Sequence, residues 1–205
     1  MLKKIAVATI LLGTSIAAQA NISGTPYIGA GLGLNHQIFQ QKDEDGKTQF
    51  GGTGGLVNVY GGYGALINKN IYLGGEILAN TTTGVVEASK TSDGSSSLKY
   101  RTKYSYGVSL IPGLMLTNDS MVYARVGVVK TKFNVKADVS SLGDESSNET
   151  VTGGQLGLGL QTKVTQKVDL RGEYVYTGYN SFHAVGEKVN ASSGQATVGV
   201  VYNFS

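Results

Sequence analysis

Four charged residues, Glu76, Arg125, Arg171 and Glu173, interrupt a chain that otherwise alternates apolar side chains with glycine and small polar residues. Each lies a few residues into a segment of strand-like alternation, on the side opposite the apolar residues. If those strands close on themselves, the four share one height in the enclosed space. Charges held there must pair, because removing one partner of a buried ion pair costs about 3–5 kcal/mol. The expectation is therefore a lumen ion-pair network of Glu76, Arg125, Arg171 and Glu173 that plugs the interior. A narrow filter for ions or small solutes is the second chemistry these residues could perform.

Other candidate groups carry less. His36 and His183 are the only histidines, and Ser181 stands two residues from His183. Acyl transfer needs a nucleophile held by a base and an orienting carboxylate, and no spacing here supplies that set. These residues read as rim positions in polar loops. Asp43-Glu44-Asp45-Gly46 offers carboxylates but lacks the spaced ligands and terminal glutamate of a calcium loop. Gly29-Ala30-Gly31 and Gly157-Leu158-Gly159 have no following helix and acidic partner, as a dinucleotide site requires. The chain has no cysteine, which removes thiolate chemistry and disulfides. No catalytic residue, metal site or cofactor is expected.

The elements that must position the four charges are strands. Glycine is abundant at 30 and proline scarce at 2, and 12 tyrosines accompany 5 phenylalanines. From Thr25 onward the alternation has period two. Ile28, Ala30, Leu32 and Leu34 oppose Tyr27, Gly29, Gly31 and Gly33, and Val57, Val59 and Tyr63 oppose Asn58, Tyr60 and Gly62. Six further segments repeat the plan, the last carrying Ala196, Val198, Val200, Tyr202 and Phe204. The links Asn68 to Asn70, Thr117 to Ser120 and Thr165 to Lys167 are tight. The other four are long and polar, centred on Gln40 to Gly52, Thr83 to Ser97, Lys136 to Thr150 and Gly178 to Ser193. The fold class expected is all-β: an eight-stranded antiparallel up-and-down transmembrane barrel, with short periplasmic turns and four long outer loops.

Met1 to Ala20 reads as a signal peptide, with Lys3 and Lys4 ahead of an apolar stretch and Ala18-Gln19-Ala20 as the cleavage site. The barrel domain is then residues 21–205. Its 15 basic and 14 acidic residues give no reason to expect a nucleic-acid partner.

Alternation alone fits a soluble barrel with its apolar face inside. Three features favour a membrane. Glycine crowds the polar face, where it leaves room for long charged side chains in a narrow interior. Tyr63, Tyr104, Tyr174, Tyr176 and Tyr202 stand on the apolar face near strand ends, as interfacial girdles do. The leader exports the chain.

The final strand, running in apolar alternation to Phe204, resembles the carboxy-terminal signature of bacterial outer-membrane proteins, with Ser205 as a departure after the aromatic. Leu110-Ile111-Pro112-Gly113-Leu114-Met115-Leu116-Thr117-Asn118 with Val122-Tyr123-Ala124-Arg125-Val126-Gly127 resembles the central hairpin of small OmpA-like porin-family barrels. Leu170-Arg171-Gly172-Glu173-Tyr174 with Tyr176 resembles their penultimate strand. The chain is thus similar to the OmpA, OmpX and Ail type. That resemblance implies residence in the bacterial outer membrane among lipid and lipopolysaccharide, and insertion by the barrel-assembly machinery through the strand ending at Phe204. It further implies a non-enzymatic monomer whose outer loops contact host surfaces or other ligands, as adhesins of the Ail type do. A narrow pore and a lipopolysaccharide acyl-modifying enzyme are the other readings.

Overall fold

Apolar and polar residues that alternate with period two cannot be sorted onto two sides of a helix, and among the described residues every regular element is a strand. The structure, a computed structural model, describes residues 24–43, 46–83, 85–89, 96–139, 145–180, 182–184 and 187–204. The leader read from Met1 to Ala20 lies outside these residues, as do Glu44, Asp45 and Ser181.

The strands are β1 (Thr25–Asp43), β2 (Gly46–Leu66), β3 (Ile71–Thr82), β4 (Val85–Ser89), β5 (Ser96–Met115), β6 (Ser120–Val139), β7 (Glu145–Lys163), β8 (Val168–Tyr179), β9 (Phe182–Ala184) and β10 (Glu187–Asn203). Antiparallel pairing runs β1-β2-β3-β5-β6-β7-β8-β10 and then returns from β10 to β1, from Tyr27 opposite Asn203 to Gln41 opposite Val189. Eight staves therefore close a barrel. The short β4 and β9 pair only with β5 and β10, and prolong the walls begun by β3 and β8.

Three tight turns join the staves at one end, all built the same way. Asn68 Oδ1 accepts from the backbone N–H groups of Asn70 and Ile71, Thr117 Oγ1 from those of Asp119 and Ser120, and Thr165 Oγ1 from those of Lys167 and Val168. A short polar side chain closing its own turn in this way satisfies donors that the ladder leaves over.

At the other end the four links are long, but much of what reads as loop continues the ladder. The β1–β2 pairing reaches Asp43 opposite Gly46, β5–β6 reaches Ser96 opposite Val139, and β6–β7 reaches Ala137 opposite Glu145. Side-chain alternation fades there while the backbone pairing does not. Both faces of a hairpin above the membrane are wet, so nothing selects apolar residues for one side, whereas the backbone gains from pairing in either medium. The β5–β6 register shifts between Thr102 and Tyr104, which leaves Lys103 outside the ladder in a bulge.

The two faces have opposite characters. Leu32, Leu158 and Val198 are each 67% exposed on the outer surface, whereas Glu76, Arg125 and Arg171 are 3%, 2% and 4% exposed inside. Tyr63, Tyr104, Tyr174, Tyr176 and Tyr202 all point outward. A soluble barrel would reverse this distribution. The interior does hold apolar groups, in two small clusters: Tyr27, Tyr60 and Val201, and Ile111, Met121 and Tyr123.

Candidate functional site: the lumen network

Glu76 sits on β3, Arg125 on β6, and Arg171 and Glu173 on β8, all inward by parity. The structure brings the four together. Arg125 Nη2 lies 2.5 Å from Glu76 Oε1, and Arg125 Nε 2.9 Å from Glu173 Oε2. Arg171 Nη1 lies 2.6 Å from Glu76 Oε2. Glu76 therefore bridges both guanidinium groups, and its side chain is 0% exposed. Charge-assisted bonds of this length are the strong kind, and in a dry interior they must be complete to offset desolvation.

Further residues join the set, although Arg125 Nη1, Asp169 Oδ1 and the Tyr60 hydroxyl are buried without a hydrogen-bond partner among the described residues. Tyr27 OH donates to Glu76 Oε2 at 3.2 Å and Tyr123 OH to Glu173 Oε2 at 2.7 Å. Arg171 donates through Nε and Nη2 to Gln161 Oε1, whose amide nitrogen donates to Asp169 Oδ2 at 2.7 Å. Asn203 Nδ2 donates to the same carboxylate oxygen at 3.0 Å. The Arg171 guanidinium also lies 5.5, 4.6 and 5.2 Å from the ring centres of Tyr27, Tyr60 and Tyr123, within the range of cation–π attraction. Tyr27, Tyr60, Tyr123, Gln161, Asp169 and Asn203 are thus part of a site that parity and height alone reduce to four charges.

Glycine makes the arrangement fit. Gly62 is the cross-strand partner of both Tyr27 and Glu76, and Gly159 of both Tyr123 and Glu173. A β-carbon at either glycine would collide with the tyrosine ring that lies over it. The ring crosses its glycine and meets the carboxylate one strand further on. Above the charges the lumen is lined by neutral amides and hydroxyls. A gap of about 10 Å³ between the amides Asn58, Asn80, Gln155 and Gln195 and the charges Glu76, Arg125 and Glu173 has room for about one water.

The remaining candidates are not drawn into this site. His36 faces outward, and its Nδ1 lies 2.9 Å from Thr53 Oγ1. His183 falls on β9, but its side chain, like all of Ser181, lies outside what the structure describes. Among the described residues no group of His, Cys, Asp and Glu is arranged to hold a metal ion.

An apolar exterior around a charged, filled lumen defines a transmembrane β-barrel, since closure satisfies every ladder hydrogen bond within the wall. The sequence matches the family described as outer membrane protein beta-barrel domain over residues 6–204, and the chain belongs to that family. Its place is accordingly the bacterial outer membrane. No curated protein has a matching sequence. Among solved structures the chain is similar to the outer membrane protein OprG of Pseudomonas aeruginosa, at 15% identity and a TM-score of 0.55, covering 89% of this chain and 97% of that one. It is similar as well to the outer membrane protease OmpT of Escherichia coli, at 10% identity and a TM-score of 0.54, covering 88% and 97%. Neisserial surface protein A is 19% identical with a TM-score of 0.47, covering 89% and 99%. At these identities the likeness is one of fold.

Proposed function

We propose that the protein is a non-enzymatic, non-conducting scaffold whose outer hairpins do its work as a surface contact element for host or ligand molecules. The observation that carries this reading is Glu76, fully buried and shared between Arg125 and Arg171 across the lumen. A pore needs a continuous wet path, and the ion pairs and stacked tyrosines fill the width of an eight-stranded interior. Rigid walls carrying polar hairpins suit recognition. The chain works as a monomer among outer-membrane lipid and lipopolysaccharide, and the assembly machinery receives it through β10 and Phe204.

Planar-bilayer recording tests the closed lumen. Folded wild-type protein is expected to give no conductance steps, and reproducible steps that Glu76→Ala alters would establish the pore reading instead. Deleting the β1–β2 or β6–β7 hairpin above the barrel is expected to reduce binding of expressing cells to host cells. Unchanged binding by both deletions would remove the adhesive role.

A further inference from the structure

The outward face of β6 changes character at one point. Val122, Ala124, Val126 and Val128 face out in turn, followed by Lys130 and Lys132. From Val122 to Lys130 the strand climbs roughly 21 Å, at a rise of about 3.4 Å per residue and a tilt of about 40°. That brings Lys130 to the top of an apolar band about 25 Å tall. Long charged side chains at such a height reach toward the headgroups while their stems stay in the apolar layer.

The neighbouring strands make this a shaped surface. Tyr106 stands opposite Lys130 and Tyr104 opposite Lys132 on β5, both half exposed, while Thr152 and Thr150 stand opposite them on β7. Among the residues whose side chains are described, no outward-facing carboxylate lies in this patch, and neither lysine has an ion pair with any of them. One row nearer the membrane centre, Val128, Gly154 and Gly178 are partners across β6, β7 and β8. A β-carbon placed on Gly154 would meet nothing within 4 Å. The two glycines therefore leave a notch in the wall beneath the lysines, bounded below by Val126, Leu156 and Tyr176. A pair of cations above an apolar notch is complementary to an amphiphile with an anionic head and a hydrocarbon tail.

We infer that this face of β5–β8 is a binding site for an outer-leaflet phosphoglycolipid of the lipid A kind, with its phosphate on Lys130 and Lys132 and an acyl chain in the Gly154–Gly178 notch. Its position at the hairpin end selects the outer leaflet, and the threonines and tyrosines flanking the lysines supply hydroxyls to a sugar headgroup. The site is independent of the lumen and of whatever the hairpins bind.

The test is native mass spectrometry of the folded mature barrel in detergent, titrated with bis-phosphorylated lipid A, with its enzymatically dephosphorylated form, or with phosphatidylglycerol. Adducts are expected with bis-phosphorylated lipid A and to be largely lost when the phosphates are removed. The double variant Lys130→Gln, Lys132→Gln is expected to weaken them about thirtyfold, from the usual attraction of a basic residue near an anionic surface. Gly154→Leu fills the notch, keeps both charges and is expected to weaken binding several-fold. Heat-modifiable gel mobility shows that each variant is folded. Equal binding of the dephosphorylated lipid, equal binding by the double variant, or preference for phosphatidylglycerol would overturn the assignment. Loss of the gel shift in wild type would instead count against the barrel itself.

Discussion

Arg171 and Glu76 are 95 residues apart in the chain and meet at 2.6 Å. Their strands, β8 and β3, stand four staves apart in a ring of eight, so the bond crosses the full width of the barrel. Arg125 on β6 stands midway between them and reaches both Glu76 and Glu173. The network therefore holds one tie across the full width, Arg171 to Glu76, and two shorter ties through Arg125, each spanning two staves of the curved wall.

Replacing Glu76 by alanine leaves two buried guanidinium groups short of their shared anion. The expected loss is about 3–5 kcal/mol, read as a lower urea midpoint for unfolding in lipid vesicles. Glu76→Gln keeps an acceptor and is expected to lose less. A midpoint unchanged in Glu76→Ala would show that the cross-ties add nothing to stability.

Arg171→Lys keeps the charge but removes the planar fork that bonds Gln161 twice and stacks among three tyrosine rings. A loss of about 1.5–3 kcal/mol is expected, in line with hydrogen bonds to charged groups. Stability equal to wild type in the same unfolding measurement would mean that charge alone suffices at this position.

Two glycines of opposite facing should respond oppositely. At Gly62 a side chain would meet the Tyr27 ring and the Gly75 carbonyl oxygen, so Gly62→Val is expected to cost about 1–3 kcal/mol. At Gly172 an outward β-carbon meets nothing within 4 Å. Gly172→Val should be neutral or stabilising by up to about 1 kcal/mol, since valine suits a strand better. Equal penalties at both sites would refute the role given to lumen glycines.

The three turns offer a test of additivity. Asn68→Ala, Thr117→Ala and Thr165→Ala each remove an acceptor shared by two backbone donors, for an expected loss of about 0.5–1.5 kcal/mol apiece. The sites share no partner, so the triple variant should lose close to the total of the three. A triple variant no less stable than a single one would show that water replaces these acceptors at no cost.

Much of this architecture can be read from the chain, for reasons that also mark where reading stops. In β1 the outward set Ile28, Leu32 and Leu34 alternates with the inward set Tyr27, Gly31 and Asn35 because two media, lipid and lumen, select opposite residues at successive positions. The turns are legible because Asn68, Thr117 and Thr165 are the side chains a tight turn uses. A tight turn also sets the register beside it, so Gln161 opposite Arg171 and Lys163 opposite Asp169 could have been found by counting outward from Thr165. Tyr27 and Tyr123 could not. Their places beside Glu76 and Glu173 depend on pairing across long hairpins, where both faces are wet and the pattern that reveals register is lost. Lys103 illustrates the same limit: a bulge shifts the phase of alternation on its own strand, but beyond Thr102 the hairpin is wet on both faces and no alternation is left to show the shift.

The seam between β1 and β10 bears on how such a wall can be made. The Phe204 N–H donates to the Pro26 carbonyl at 3.0 Å, and β10 is hydrogen-bonded on both sides, to β8 and to β1. Synthesis delivers β10 after all the other staves, so until it is in place both β1 and β8 carry raw strand edges, the surfaces on which chains stick to one another. The ring cannot be finished piecemeal while the chain emerges. Its last step has to bring the two ends of the chain together at once, because the strand that closes the wall is also the one that both remaining edges are waiting for.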